Sequence, residues 1–272
     1  VRVDGWWTRS VMYRLAGGQW VAEPLPTTAK GEPVDILLDL SVLDTGHALV
    51  SSYNSLMVWG YANDLPSNPA ADPGRPDVLY FAVTRHTLRG SLRAAWERDG
   101  GLPVFGYPLT EQFAEPNADT GAAYATQYLE RQRFEYHPEH AGTPFEVLLG
   151  RLGVEALAAQ GRPYQSFPKA NPAAPHYFAA TGQAIAPEFW DYWRGSGLDL
   201  GQPGVSEGES LALFGYPISP AQVETNADGD QVLTQWFERA RFEFHPANPP
   251  GQRVLLGRLG AEALALRGWI GR

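Results

Sequence analysis

The sequence predicts an α+β protein: an N-terminal all-β segment followed by two tandem helix–turn–β-hairpin–helix units. Two observations carry that expectation. Residues 1–63 hold short apolar runs broken by turn residues, and much of the remaining chain matches itself at a nearly constant spacing. Tyr80-Phe81-Ala82-Val83-Thr84 and Trp96 match Tyr177-Phe178-Ala179-Ala180-Thr181 and Trp193 at an offset of 97. Phe105-Gly106-Tyr107-Pro108 matches Phe214-Gly215-Tyr216-Pro217 at 109, so the second copy carries 12 extra residues after its tryptophan. Glu130-Arg131 and Arg133-Phe134-Glu135 match Glu238-Arg239 and Arg241-Phe242-Glu243 at 108, and residues 147–153 match 254–260 at 107. Offsets that drift only at loops are the product of duplication followed by small insertions and deletions.

The elements follow in order. Within the β-rich domain 1–63, residues 11–15 and 19–22 read as a hairpin, because Gly17-Gly18 supplies the positive φ of a tight turn. Residues 36–42, 48–52 and 56–61 supply three more strands; a propeller blade and a small sandwich both give such a pattern, and a blade would make this chain part of a larger β-domain. Residues 64–76, with four prolines, read as a linker, and residues 161–176 as a second one. They delimit repeat unit 1, residues 77–160, and repeat unit 2, residues 177–272. In the first unit Leu88, Leu92 and Trp96 share one helical face, as Ile185, Phe189 and Trp193 do in the second. Gly100-Gly101 ends the first helix, and Gly106 before Tyr107-Pro108 suits a tight turn. Residues 117–121 and 226–230 are hairpin tips. The closing helix of the first unit begins near Gly150 or Arg151 with Leu152, Ala156 and Leu157 inward; Leu259, Ala263 and Leu264 are their counterparts.

Composition excludes several functions. The chain has 272 residues, a net charge of -9 and no dense Lys/Arg run, so it lacks the phosphate-neutralising surface that a nucleic-acid partner requires. No apolar run approaches the roughly 20 residues of a membrane span. The absence of cysteine removes thiol nucleophiles, thiolate zinc sites and iron–sulfur ligation. Only two of the 21 basic residues are lysines, Lys30 and Lys169, and with 23 prolines and 2 methionines the composition suits a thermostable chain. A GC-rich genome gives the same arginine bias. Val1 in place of Met suits a processed product, and the expected location is extracellular or at the cell surface.

The densest polar cluster is duplicated. On one continuous strand, Arg131, Arg133, Glu135 and His137 would share a face, with Arg239, Arg241, Glu243 and His245 as counterparts. Such a row either binds carboxylates and sugar hydroxyls or forms an ion-pair ladder between strands. Its acid/base pairs lack a neighbouring nucleophile and occur twice, which argues against catalysis. Neither metal motif holds: His137-Pro138-Glu139-His140 lacks the helical H-E-x-x-H spacing, and Asn226-x-Asp228-x-Asp230 would place Phe237 where a calcium loop has glutamate. No cofactor is expected. Of nine tryptophans, the adjacent Trp6 and Trp7 are the surface candidates, since on a strand one of them faces away from the core.

The pattern Trp96, Gly100-Gly101, Phe105-Gly106-Tyr107-Pro108, Gln127-Tyr128-Leu129-Glu130, Phe134-x-Tyr136 and Val147-x-x-Gly150 resembles the LGFP-type repeat. The resemblance covers residues 85–160 and 182–271. It implies a non-enzymatic module of bacterial secreted and cell-wall-associated proteins. The family turns its hairpin at a glycine-containing step where this chain has Arg131-Gln132 and Arg239-Ala240, with no glycine in either copy; the resemblance would make the Glu-Arg stretch a turn, whereas period two makes it mid-strand. The expected function is therefore binding of cell-wall or other polysaccharide without catalysis. The alternatives are a self-assembling subunit of a surface layer or extracellular filament and, third, a cell-wall-acting hydrolase.

Overall fold

A computed structural model describes residues 65–117 and 119–271 and, before them, six strands between Val3 and Gly60. The chain divides into two compact units, residues 1–68 and 69–272. In the first, β1 (Val3–Asp4), β2 (Val11–Ala16) and β3 (Gln19–Glu23) form one antiparallel sheet, and β4 (Asp39–Val42), β5 (His47–Ser52) and β6 (Ser55–Gly60) another. Ala16 pairs with Gln19, the register of a two-residue hairpin loop. The choice between blade and sandwich falls on residues outside those described, as do Trp6 and Trp7.

The second unit is α+β. Its first segment runs β7 (Val78–Phe81), β8 (His86–Arg89), α1 (Gly90–Arg98), α2 (Gly101–Phe105), β9 (Phe113–Pro116), β10 (Ala123–Tyr128), β11 (Arg133–Tyr136), β12 (Val147–Leu149) and α3 (Leu152–Ala159). Its second runs β13 (Tyr177–Phe178), β14 (Gln183–Ala184), α4 (Pro187–Arg194), α5 (Glu207–Phe214), β15 (Gln222–Thr225), β16 (Gln231–Trp236), β17 (Arg241–Phe244), β18 (Val254–Leu256) and α6 (Leu259–Leu266). β9 to β12 and β15 to β18 are each a four-stranded antiparallel meander. Three readings change. The expected hairpin is the middle of a four-stranded sheet, whose outer strands of three or four residues are too short for alternation to show. Leu88 lies on β8 and Ile185 ahead of α4, so each first helix starts later than its apolar spacing implies. Residues 161–176 are more than a linker: Tyr164 and Phe167 pack into the apolar core, and Lys169 Nζ donates to the Thr181 carbonyl.

β10 stops at Tyr128 and β11 starts at Arg133, with Leu129 N donating to Gln132 O. The Glu-Arg stretch is a turn, and Arg131 leaves the strand row. This turn explains the FGYP motif. Gly106 has φ 77°, and a Cβ there would run into the Glu130 side chain. Glu130 Oε2 accepts Tyr107 N at 3.1 Å, and Trp96 Nε1 donates to Gly106 O at 3.1 Å. Gly215, Glu238, Tyr216 and Trp193 repeat the arrangement. Tryptophan, glycine and glutamate are thus one interlocked corner, separated in sequence but joined in space.

One apolar core serves both segments: Leu92, Phe105 and Phe134 belong to the same cluster as Phe189, Trp193, Phe214 and Phe242. Each such side chain contributes about 1.5–3 kcal/mol by leaving water. A second cluster joins Leu152 and Leu157 of α3 to Leu259 and Leu264 of α6. Here the segments exchange contacts reciprocally. Gly153 N, in the first turn of α3, donates to Glu238 O at 3.0 Å, and Ala261 N of α6 donates to Glu130 O at 3.1 Å. Helix-start N–H groups have no partner within their own helix, and each helix finds one on the other segment's turn. A Cβ on Gly153 would collide with the Phe237 carbonyl, and one on Gly260 with that of Leu129.

An ion pair seals each side of this junction. Arg162 Nη2 reaches Glu224 Oε1 at 2.6 Å while Trp236 Nε1 donates to Glu224 Oε2 at 3.0 Å; Arg267 reaches Glu115 and the Tyr128 hydroxyl in the same way. Burial alone would raise the Glu224 pKa, but hydrogen bonds from Arg162, Gln222 and Trp236 outweigh it and hold the carboxyl below the usual range. The unfolded chain therefore takes up this proton first. Stability from Glu224 is present above about pH 4.3, the ordinary glutamate value, and is lost as the pH falls toward the folded-state value. Glu224→Gln is expected to lower stability at pH 7 and to flatten its acid dependence, read from urea midpoints at pH 7 and pH 3; parallel curves for the two proteins would refute this.

Candidate functional site

The duplicated polar row is divided between two roles. In the first segment it is consumed internally. Arg133 and Glu135 are both buried, with 4% of each side chain exposed, and pair at 2.8 Å. Arg133 also donates to both oxygens of Glu155 at 2.8 Å and to the Tyr128 hydroxyl at 3.2 Å. Burial opposes its charge, but Tyr128 and Glu155 outweigh burial and raise its pKa above the ordinary value. Gly150 leaves room for the guanidinium. His137 Nδ1 lies 2.8 Å from Glu139, and its ring packs on Tyr124 at 3.9 Å between centroids. In the second segment Arg241 holds Glu243 and Glu262 in the same way, against Gly257 and the Trp236 ring. Arg133 thus sits in a buried ion-pair cluster with Glu135 and Glu155, and His137 hydrogen-bonds Glu139 beside it.

The second role appears where the segments meet. A cleft of about 420 Å³ brings Glu130 and Arg131 of the first segment to Arg241, Glu243 and His245 of the second. Tyr192 of α4, the β15–β16 tip at Asn226 and Asp228, and Arg258 complete its polar surface. Four of the residues singled out from sequence therefore converge here: Arg131, Arg241, Glu243 and His245. Asn226 Oδ1 accepts from Asp228 N and Asp230 N, so the supposed calcium loop is a hairpin tip braced by its own asparagine. Among the described residues no three His, Asp, Glu or Cys side chains converge as a metal site.

Arg239, the counterpart of Arg131, occupies an equivalent place on the other side and closes it. Its Nε donates to Leu149 O at 3.1 Å, and Arg151 bridges Asp119 and Glu238 at 3.2 and 3.0 Å. Burial pulls the Arg239 pKa below its ordinary value, with Glu238 opposing and Arg151 adding to the shift. On the Arg131 side, among the described residues, the Arg239–Leu149 bond and the Arg151–Glu238 bridge have no counterpart. Arg258 pairs with Asp228 at 3.0 Å, and Arg131 makes a 3.3 Å bond to Leu102 O and a 3.7 Å pair with Glu130.

Sequence reasoning missed Glu130, Tyr192 and Arg258. Tyr192 aligns with Ala95 at the offset of 97, so a difference between copies marked it; Glu130 and Arg258 sit inside duplicated motifs, where identity hid their separate use. Comparison of the chain with protein-family models, curated proteins and solved structures finds no match to any of them.

Proposed function

We propose that the chain is a non-catalytic extracytoplasmic module that binds cell-wall or other polysaccharide. In this reading an N-terminal all-β segment is followed by two diverged copies of one unit, and the cleft between the copies is the binding site. The observation that supports it best is the asymmetry of two related places: Arg239 and Arg151 fill one, whereas Arg131 and Arg258 stand apart in the other. The resemblance to the LGFP-type repeat points the same way. Catalysis is disfavoured in this reading because Glu135 and Glu243, the carboxylates of the duplicated row, are held by Arg133 and Arg241.

A self-assembling surface subunit is the second reading, favoured by Val223, 64% exposed on the edge strand β15, where a further strand could pair. Retention on insoluble cell-wall polymer, measured beside sedimentation of the protein alone, separates the two. The module is expected to co-sediment with polymer and stay in solution without it, and Arg131→Ala is expected to weaken retention roughly tenfold, the loss of one charged hydrogen bond. Sedimentation without polymer and no retention on it would sink the binding reading.

A further inference from the structure

Resting on that reading of the cleft, we propose that its ligand is a neutral, hydroxyl-rich sugar chain, bound once per protein between Glu130 and Arg258, and not an acidic glycan. The closed side shows which groups the open side leaves unsatisfied. There, Glu238 Oε1 accepts from Arg151 Nη2 at 3.0 Å. The matching pair, Glu130 and Arg258, makes no such bond: Glu130 Oε2 is taken by Tyr107 N, Oε1 has no partner among the described residues, and Arg258 points to Asp228 with 48% of its side chain exposed. An acceptor and a donor that are joined on one side thus stand separated on the other. A group filling that gap must donate to Glu130 and accept from Arg258. A hydroxyl does both at once; a carboxylate can only accept.

The other free groups around the cleft extend this pattern. The Tyr192 hydroxyl has no hydrogen-bond partner among the described residues, while its ring is fixed against Phe214 and Phe242 at 5.8 and 5.2 Å. His245 also lines the cleft, but its Nε2 is buried, 3.5 Å from Glu243 Oε2. Charge is balanced, with Arg131, Arg241 and Arg258 facing Glu130, Asp228 and Glu243. An acidic glycan would add negative charge to this balanced surface on a chain of net charge -9. Donors and acceptors interleaved on a rigid ring match this surface.

The cleft also continues. A second cavity of about 530 Å³ shares Glu130, Ala227 and Arg258 with the first, and its far wall is apolar, formed by Leu109, Leu266 and Ile270. Both volumes fall in the range of small-ligand sites. A chain of sugar rings has the matching character, with polar edges and C–H faces, and runs from the polar part into the apolar part across Glu130.

The test is calorimetric titration of the whole chain with cellohexaose, with the hexamer of N-acetylglucosamine and with hexagalacturonate. At least one neutral hexasaccharide is expected to bind at one site per chain, with an affinity insensitive to salt. Tyr192→Phe, which keeps the ring contacts, and Arg258→Ala, at the exposed rim, are each expected to weaken it about 3- to 10-fold. Preference for hexagalacturonate, two sites per chain, or binding untouched by both substitutions would overturn the assignment. So would retention on wall polymer with no hexasaccharide bound, although the module reading would then survive. Absence of retention on any polymer would remove the module reading itself.

Discussion

Replacing Gly153 or Gly260 with alanine is expected to destabilise the protein by about 3 kcal/mol each, at the upper end of overpacking penalties. Helix propensity alone gives the opposite sign, because alanine is the better helix former by up to about 1 kcal/mol. The deciding fact is the backbone carbonyl of the other segment, which occupies the space a methyl group would need at both positions. Carbonyls cannot rotate away as a side-chain end can, and moving one breaks the bond from Gly153 N to Glu238 O or from Ala261 N to Glu130 O. Gly208 provides the control. It lies exposed near the start of α5, has no positive φ and would meet nothing closer than 3.8 Å, so Gly208→Ala is expected to be neutral or to stabilise by up to about 1 kcal/mol. Urea midpoints with unchanged slopes measure all three. Equal behaviour of Gly153→Ala and Gly208→Ala would show that the helices do not depend on the exchange.

Arg133→Met is expected to cost about 3–5 kcal/mol, the usual result of removing one partner from a buried ion pair. For a unit of this size that is a fall in Tm of roughly 10 °C. The loss comes less from the missing attraction than from what stays behind: among the described residues Glu135, 4% exposed, keeps the amide of Asn117 at 2.7 Å and a 3.7 Å contact with His137. Arg133→Lys is expected to recover little, since an ammonium cannot reproduce the two parallel bonds to Glu155. Arg131→Ala, two positions away, is expected to change Tm hardly at all, because its pairing is long and partly exposed. Thermal unfolding of the three variants checks this. A similar loss for Arg131→Ala and Arg133→Met would mean that the two arginines share one role.

How much of this was legible in the sequence depended on distance along the chain. The self-matching motifs and the Asn226 tip could be read, since each rests on local patterns, whereas the Glu-Arg stretch stayed open between turn and mid-strand. The partnership of Gly106 with Glu130 could not, because two residues 24 apart give no periodic signal, although both recur in each copy. The reasons for Gly153 and Gly260 lay further still, in carbonyls of the opposite segment. Period two placed Arg131 beside Arg133, and a turn separated them; that error divided one imagined row into a structural ladder and a cleft. Gln132 shows the limit from the other side: it is fully buried with neither amide atom hydrogen-bonded, where the second copy has Ala240, and nothing in the structure explains the choice of a polar residue.

The exchange between α3 and α6 also couples the two segments. Each segment offers one helix start and one receiving carbonyl turn, and both are used within a single chain. Among the described residues both helix starts and both receiving turns are used within the pair, so one segment without the other is expected to leave its helix start and its receiving carbonyls without these partners.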